Sequence, residues 1–283
     1  MSTVVELFGH AADEKRRDWA KVVREQQCIS LGKKCYKVRK SDPDTSIGSC
    51  TVLYGKNQEP IIICPTRLID RRQIFTDCFH LLTTHEPGNE LHVVPEVSIP
   101  GGSVDFFLVS ANKGKVNDFA GIELQTLDTT GTVWPERQRL LKKLGVSRKD
   151  KGEDSEKSYG MNWKMSAKTI LDQMHHKIQT FEHVHKKLVL IIQDKLLAYM
   201  TREFNFSHLR NPALIGDSMH LHAYRLDKQP ENSFKLTMQS RLSTDVAGIG
   251  SCLGLQAEAR VELEQIIKVL QEKISPHTLF VPV

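Results

Sequence analysis

Through the central third of the chain, apolar and polar positions alternate; on either side the apolar positions recur at helical spacing. Residues 91–99 (LHVVPEVSI), 103–110 (SVDFFLVS) and 119–127 (FAGIELQTL) therefore read as three consecutive strands, the first weakened by Pro95. Upstream, Leu68, Ile74, Phe75, Cys78 and Leu82 fall on roughly one side of a helix predicted over 67–82. Downstream, WPERQRLLKKLG (134–145) opens with proline and closes with glycine, as helices do. A long helix is expected over about 166–185, followed by KLVLIIQ (187–193), a short β-branched run suited to a buried strand. Another helix, two alternating strands (219–226 and 234–242) and an amphipathic helix (256–273) complete the pattern. Residues 11–27 are charged and helix-prone, 28–64 are rich in turn signals with IIIC (61–64) as a buried-strand candidate, and 148–160 read as an exposed loop. There are no internal repeats. Helix, three strands, helix and strand over 67–193 predict an α/β core, a mixed central sheet flanked by helices.

The 283 residues are enough for one large domain or two modest ones, and 40% hydrophobic with 26% charged residues is ordinary for a globular protein. No apolar run approaches the ~18–20 residues needed to cross a bilayer. No apolar stretch follows a basic start at the N-terminus, so the expected location is cytoplasmic. A net charge of +5 is compatible with a nucleic-acid partner without requiring one. Six cysteines in such a compartment point to metal ligation or burial, not to disulfides.

Two carboxylates stand out. Asp105 lies within the apolar strand VDFFLV, where an unpaired carboxylate is costly, and Glu123 lies in the next strand, GIELQT. Alternation puts Glu123 and Gln125 on one face and Leu124 on the other. If the strands form a hairpin, Asp105 and Glu123 converge at one end of it. Such a pair suits Mg²⁺, which takes one or two protein carboxylates and keeps waters for a substrate phosphate. The competing reading is a pair of solvent-facing strand residues, and by spacing alone it is the stronger one.

Cys28, Cys35, Cys50 and Cys64 are separated by six, fourteen and thirteen residues, without the tight pair usual in thiolate metal sites. They nevertheless lie in a stretch with little core-forming material, where a metal often supplies order. Cys78 and Cys252 read as core thiols. The twelve histidines show no ligand pattern, so surface or packing roles are expected for them.

The block PEVSIPGGSVDFFLVS…DFAGIELQTLDTTGTVWPERQR (95–139) resembles the NotI-like type II restriction endonucleases. That resemblance implies the PD-(D/E)xK nuclease fold in its glutamine form. Asp105 and Glu123 become the Mg²⁺-binding carboxylates, Leu124 a ligand through its backbone carbonyl, Gln125 the residue in the place of the usual lysine, and Glu96 a further acidic member. Asp128 and Glu136 are read as capping or surface residues. The stretch KKCYKVRKSDPDTSIGSC…PIIICPTRL resembles the family's N-terminal four-cysteine site, which implies structural Fe or Zn on Cys28, Cys35, Cys50 and Cys64. The division that follows is a DNA-contacting metal region over 1–66 and a catalytic domain over 67–283. The implied activity is Mg²⁺-dependent cleavage of double-stranded, GC-rich palindromic DNA with a GGCC core. The implied partners are a second copy of the chain and a cognate DNA methyltransferase. Basic stretches at 33–40, 67–72 and 137–149 are placed to hold phosphates beside the centre. Two other readings stay open: a repair or mobile-element nuclease of looser specificity, and a DNA-binding protein that has lost cleavage.

Overall fold

A computed structural model describes residues 2–146, 159–230 and 233–254, together with 267, 268, 271 and 272. Most of the helix expected over 256–273 and most of the loop expected over 148–160 lie outside the described residues.

The N-terminal region is built of short strands. β1 (Val4–Leu7) pairs with β2 (His10–Ala11). Helix α1 (Trp19–Glu25) is followed by the two-stranded pairs β3 (Gln27–Cys28) with β4 (Lys33–Lys34) and β5 (Val38–Arg39) with β6 (Asp42–Ser46). β7 (Ser49–Tyr54) and β8 (Glu59–Ile62) complete a four-stranded sheet with β1 and β2. The helix expected over 11–27 is thus only seven residues long. Asp18 caps its N-terminus by accepting from the Lys21 N–H, and Gln26 ends it in the left-handed conformation.

The single helix expected over 67–82 is broken into a 3₁₀ segment, Pro65–Arg72, then α2 (Gln73–Cys78), then a 3₁₀ turn at Phe79–Leu81. Arg71 and Arg72 both sit at positive φ. The cause lies next to the break: Arg67 is drawn inward to Glu6 (2.9 Å) and to Asp70 (3.0 Å), so the chain turns away from a continuous helix.

The main sheet follows, with β9 (Glu90–Ile99), β10 (Gly102–Asn112) and β11 (Lys115–Leu124) as an antiparallel meander. Pro95 sits within β9, which is an edge strand and so tolerates the missing N–H. β12 (Thr129–Thr130) and α3 (Trp134–Lys143) come next, then β13 (Gly160–Met161), which pairs with β12. The long helix α4 (Trp163–His183) leads to β14 (Lys187–Gln193), parallel to β11. Helix α5 (Asp194–Glu203) returns the chain to β15 (Met219–Lys228), parallel to β14, and β16 (Phe234–Thr244) and α6 (Val246–Cys252) close the described fold. The order β16-β15-β14-β11-β10-β9 makes a mixed sheet with helices against it, as the alternation predicted.

β14 is buried on both faces, which its unbroken apolar run requires. On one face Phe107, Leu188, Leu190 and Ile192 meet Ile170, Leu171, Met174, Ile178 and Phe181 of α4. On the other, Leu108, Ile122, Leu124, Val189 and Ile191 pack on Leu68, Ile74, Phe75 and Leu81. Gly121 in β11 admits the ring of Phe181, which a β-carbon there would meet at 2.3 Å, so α4 packs its end directly on the strand's backbone.

Two basic stretches prove partly structural. Arg67 is 3% exposed, and Arg137 is buried, donating to the Ile47 carbonyl (2.7 Å) while it and Arg39 lie against the Trp134 ring. Glu136 is likewise buried instead of at the surface: it accepts from the Thr3 N–H (2.8 Å) and pairs with Arg139. Cys78 and Cys252 are core thiols as expected, at 0% and 4% exposure, and burial raises both thiol pKa values. No helix among the described residues is long and apolar enough to cross a membrane.

Candidate active site

The β10–β11 pairing runs through Phe106↔Ile122, so the next step in the register sets Asp105 opposite Glu123. The Leu124 N–H donates to Asp105 Oδ2 (2.8 Å), and the backbone N–H of Asp105 supports the Glu123 carboxylate in return. Each carboxylate is thus fixed by the partner strand's backbone. Glu123 is 1% exposed and Asp105 is half-buried, which excludes the solvent-facing reading.

Burial dominates the electrostatics. It pushes the Glu123 carboxyl up to about 7, with the charge of Asp105 acting in the same direction and Lys177 opposing. Burial also raises Asp105, against the Leu124 N–H and Lys177, while Glu96 adds to the rise. Two carboxylates held together against their own ionisation are stabilised by an added cation.

Glu96 lies on β9, across from Asp105, between the pairs Val104↔Val97 and Phe106↔Pro95. It is exposed and sits at φ 52°, a conformation that costs a non-glycine residue about 1–3 kcal/mol. Its charge reaches Asp105. Gln125 lies just past the end of β11, where its N–H bonds the Ile191 carbonyl (3.0 Å), and its side chain donates to Gln173 of α4 (3.4 Å). Glu123 and Gln125 still face the same helix, and Leu124 packs on the opposite side of the sheet, as the alternation predicted.

Lys177 and Gln173 were not singled out from the sequence. The Lys177 ammonium donates to Glu123 Oε1 at 2.6 Å and the residue is only 8% exposed. A signal was present: Lys177 interrupts the apolar face Ile170, Met174, Ile178 and Phe181 of α4.

The four N-terminal cysteines, distant in sequence, are all buried and feel one another's charge. Backbone N–H groups of Ser30 and Leu31 point at the Cys28 sulfur, those of Lys37 and Gly48 at Cys35, and that of Thr66 at Cys64. A hydrogen bond from Cys50 draws the Cys64 thiol down to about 6 and holds Cys50 well above the usual range. Among the described residues, no three histidine, cysteine or acidic side chains stand as a ready-made ligand group. Tyr36, between Cys35 and the basic run, is exposed and close enough to feel the charge of Asp105, so this region borders the carboxylate pair.

A family model described as restriction endonuclease NotI matches residues 24–236, which takes in the cysteines, the β9–β11 meander and α4. The chain belongs to the NotI restriction endonuclease family. No curated protein and no solved structure matches it. Membership implies a site-specific deoxyribonuclease with DNA as substrate, and the family match covers each of the candidate residues described above.

Proposed function

We propose that this chain is a type II restriction endonuclease that hydrolyses both strands of a GC-rich palindromic duplex with a GGCC core, using Mg²⁺ on a PD-(D/E)xK-type centre in its glutamine form. The observation that carries the reading is the Asp105–Glu123 pair, clamped across the hairpin and destabilised as anions by burial. These donors fit a hard cation, because Mg²⁺ needs only one or two protein carboxylates. Asp105, Glu123 and the Leu124 carbonyl would hold it, with Glu96 as a further acidic member, and the metal would supply charge neutralisation at the phosphate. Gln125, a neutral donor and acceptor, orients the attacking water or a phosphate oxygen. Water attacks phosphorus in line, leaving a 5′-phosphate and a 3′-hydroxyl. A homodimer places one such centre on each strand, matching the two-fold symmetry of the site, and a cognate methyltransferase protects host DNA.

In the same reading Cys28, Cys35, Cys50 and Cys64 bind structural Fe or Zn and order residues 1–66 as a DNA-contacting region beside the catalytic domain, 67–283. The N–H groups aimed at three of the sulfurs favour thiolates there, working against the burial that raises Cys28 and Cys35, and a bound cation would offset that burial. Metal analysis tests it: about one equivalent of Fe or Zn per chain is expected, and less than about half an equivalent counts against it.

The test of the whole reading is digestion of DNA of known sequence in Mg²⁺ with sequencing of the ends. Discrete fragments sharing one palindromic end sequence are expected. A ladder favours a nuclease of loose specificity, and intact DNA that is still bound removes the enzyme reading.

A further inference from the structure

The glutamine at position 125 leaves the strand without a cationic side chain beside the scissile phosphate, and α4 carries one to the same place. Hydrolysis forms a bond from the water oxygen to phosphorus and breaks the bond from phosphorus to O3′. One water proton leaves to solvent and O3′ takes one up. Negative charge grows on the non-bridging oxygens and on O3′ along the way, and a fixed cation beside them lowers that cost. We propose that Lys177 is that cation, a substrate-contacting lysine supplied by the helix instead of the strand. The proposal rests on the nuclease reading above.

Four features carry it. The ammonium of Lys177 lies 2.6 Å from Glu123 Oε1, and its charge also reaches Asp105. Of its three donors, this bond takes one, which leaves two for phosphate oxygens. Gln173, one turn earlier on the same helix face, meets Gln125 at 3.4 Å, so α4 engages both the carboxylate and the glutamine of the motif. The glycine pair ahead of β10 makes room for this approach: both glycines sit at positive φ, a β-carbon on Gly101 would meet the His176 carbonyl oxygen at 2.7 Å, and one on Gly102 would meet Lys177 Cε at 3.2 Å. Finally, the buried glutamate pair away from the site is built differently: Arg67 Nε contacts both oxygens of Glu6 at 2.9 Å. Lys177, bonded to one carboxylate oxygen only, keeps donors on its ammonium that can be shared with a phosphate.

The test is single-turnover cleavage of a duplex carrying the mapped site, with DNA affinity, Mg²⁺ dependence and thermal denaturation measured alongside. The full-length wild type is compared with Asp105→Ala, Lys177→Gln, and the exchange Lys177→Gln with Gln125→Lys. Lys177→Gln removes the charge and keeps a hydrogen-bond donor on a slightly shorter side chain. It is expected to slow the cleavage step by about 100-fold or more while DNA affinity and the Mg²⁺ midpoint stay within about threefold. The exchange, which returns a lysine to the strand, is expected to recover at least about tenfold of the loss, which a merely structural lysine would not allow. If Lys177→Gln does not fold, Lys177→Arg takes its place: it keeps the charge, and cleavage within about tenfold of wild type is expected of it, whereas a loss as large as that of Asp105→Ala overturns the proposal. Lys177→Gln cutting within about threefold of wild type overturns it, as does a loss that saturating Mg²⁺ restores, since Lys177 would then only position Glu123. Wild type that does not cut removes the nuclease reading itself. A wild type that cuts, an inert Asp105→Ala and a fully active Lys177→Gln remove Lys177 alone.

Discussion

Among the described residues, two glutamate–cation pairs have both partners buried, and they are built for different ends. Glu6, 1% exposed, receives Arg67 Nε on both oxygens and the Thr51 hydroxyl as well, while Arg67 also donates to the Phe234 carbonyl (2.9 Å). Every polar group of that carboxylate is answered by the protein, and the pair ties β1 to the start of the 3₁₀ segment and to the end of the main sheet. Glu123 is equally buried, yet it has a single lysine bond, a second carboxylate across the hairpin, and a pKa raised to about 7 by burial. The first pair is complete, so it stabilises the fold. The second is left short of positive charge, so the fold holds it at a cost that a bound cation relieves.

Exchanging each glutamate for glutamine should therefore separate the two. Glu123→Gln is expected to reduce cleavage by about 1,000-fold or more in plasmid digestion, with stability to urea little changed, because this carboxyl is already close to half-protonated near neutral pH. Glu6→Gln is expected to cost about 3–5 kcal/mol of unfolding free energy by leaving the buried Arg67 guanidinium with Asp70 as its remaining counter-charge, while the folded fraction cuts at the wild-type rate. Equal stability losses in the two variants would erase the distinction.

A smaller effect is expected at the turn that lets α4 approach the site. Gly101→Ala places a methyl against the His176 carbonyl at a φ of +94°, costing about 1–3 kcal/mol and pushing α4 outward. Cleavage should fall further than the melting temperature implies, which single-turnover kinetics at a temperature where the variant stays folded will show.

The smallest effect concerns acid, and it separates loss of fold from loss of site. His220 and His222 are buried and neutral: burial lowers His220 to about 4, with His80 and Lys187 adding and Asp217 opposing, and lowers His222 to about 3, with Arg241, His220 and His80 adding. The unfolded chain binds protons near 6.5 and the folded chain does not, so stability is full above about 6.5 and declines as the pH falls toward 4. Each histidine contributes at most about 1.4 kcal/mol per pH unit. His222→Gln should flatten the slope of urea midpoints between pH 6.5 and 5, and an unchanged slope would remove this account of acid sensitivity.

The meander and the meeting of the two carboxylates were legible because period-two alternation fixes both which residues face the sheet's two sides and which positions meet across a hairpin, and β14 because its apolar run is short, unbroken and β-branched. The family resemblance of 95–139 decided between a site and a solvated strand, which alternation alone could not. The broken helix at 65–81 was hidden because its cause is tertiary: the pull of Glu6, some sixty residues away, on Arg67. Arg67, Arg137 and Glu136 looked like surface charges for the same reason, since the partners that bury them come from distant segments. Lys177 was visible only as a lysine in an apolar stripe, and nothing local says that the stripe lies over Glu123.

The most direct test of the central claim pairs wild type with Asp105→Ala in Mg²⁺, following cleavage of a plasmid and retention of the same DNA in a gel-shift assay. The account predicts that wild type cuts to discrete fragments while Asp105→Ala binds with similar affinity and leaves the DNA intact. An Asp105→Ala protein that cuts at the wild-type rate would contradict it.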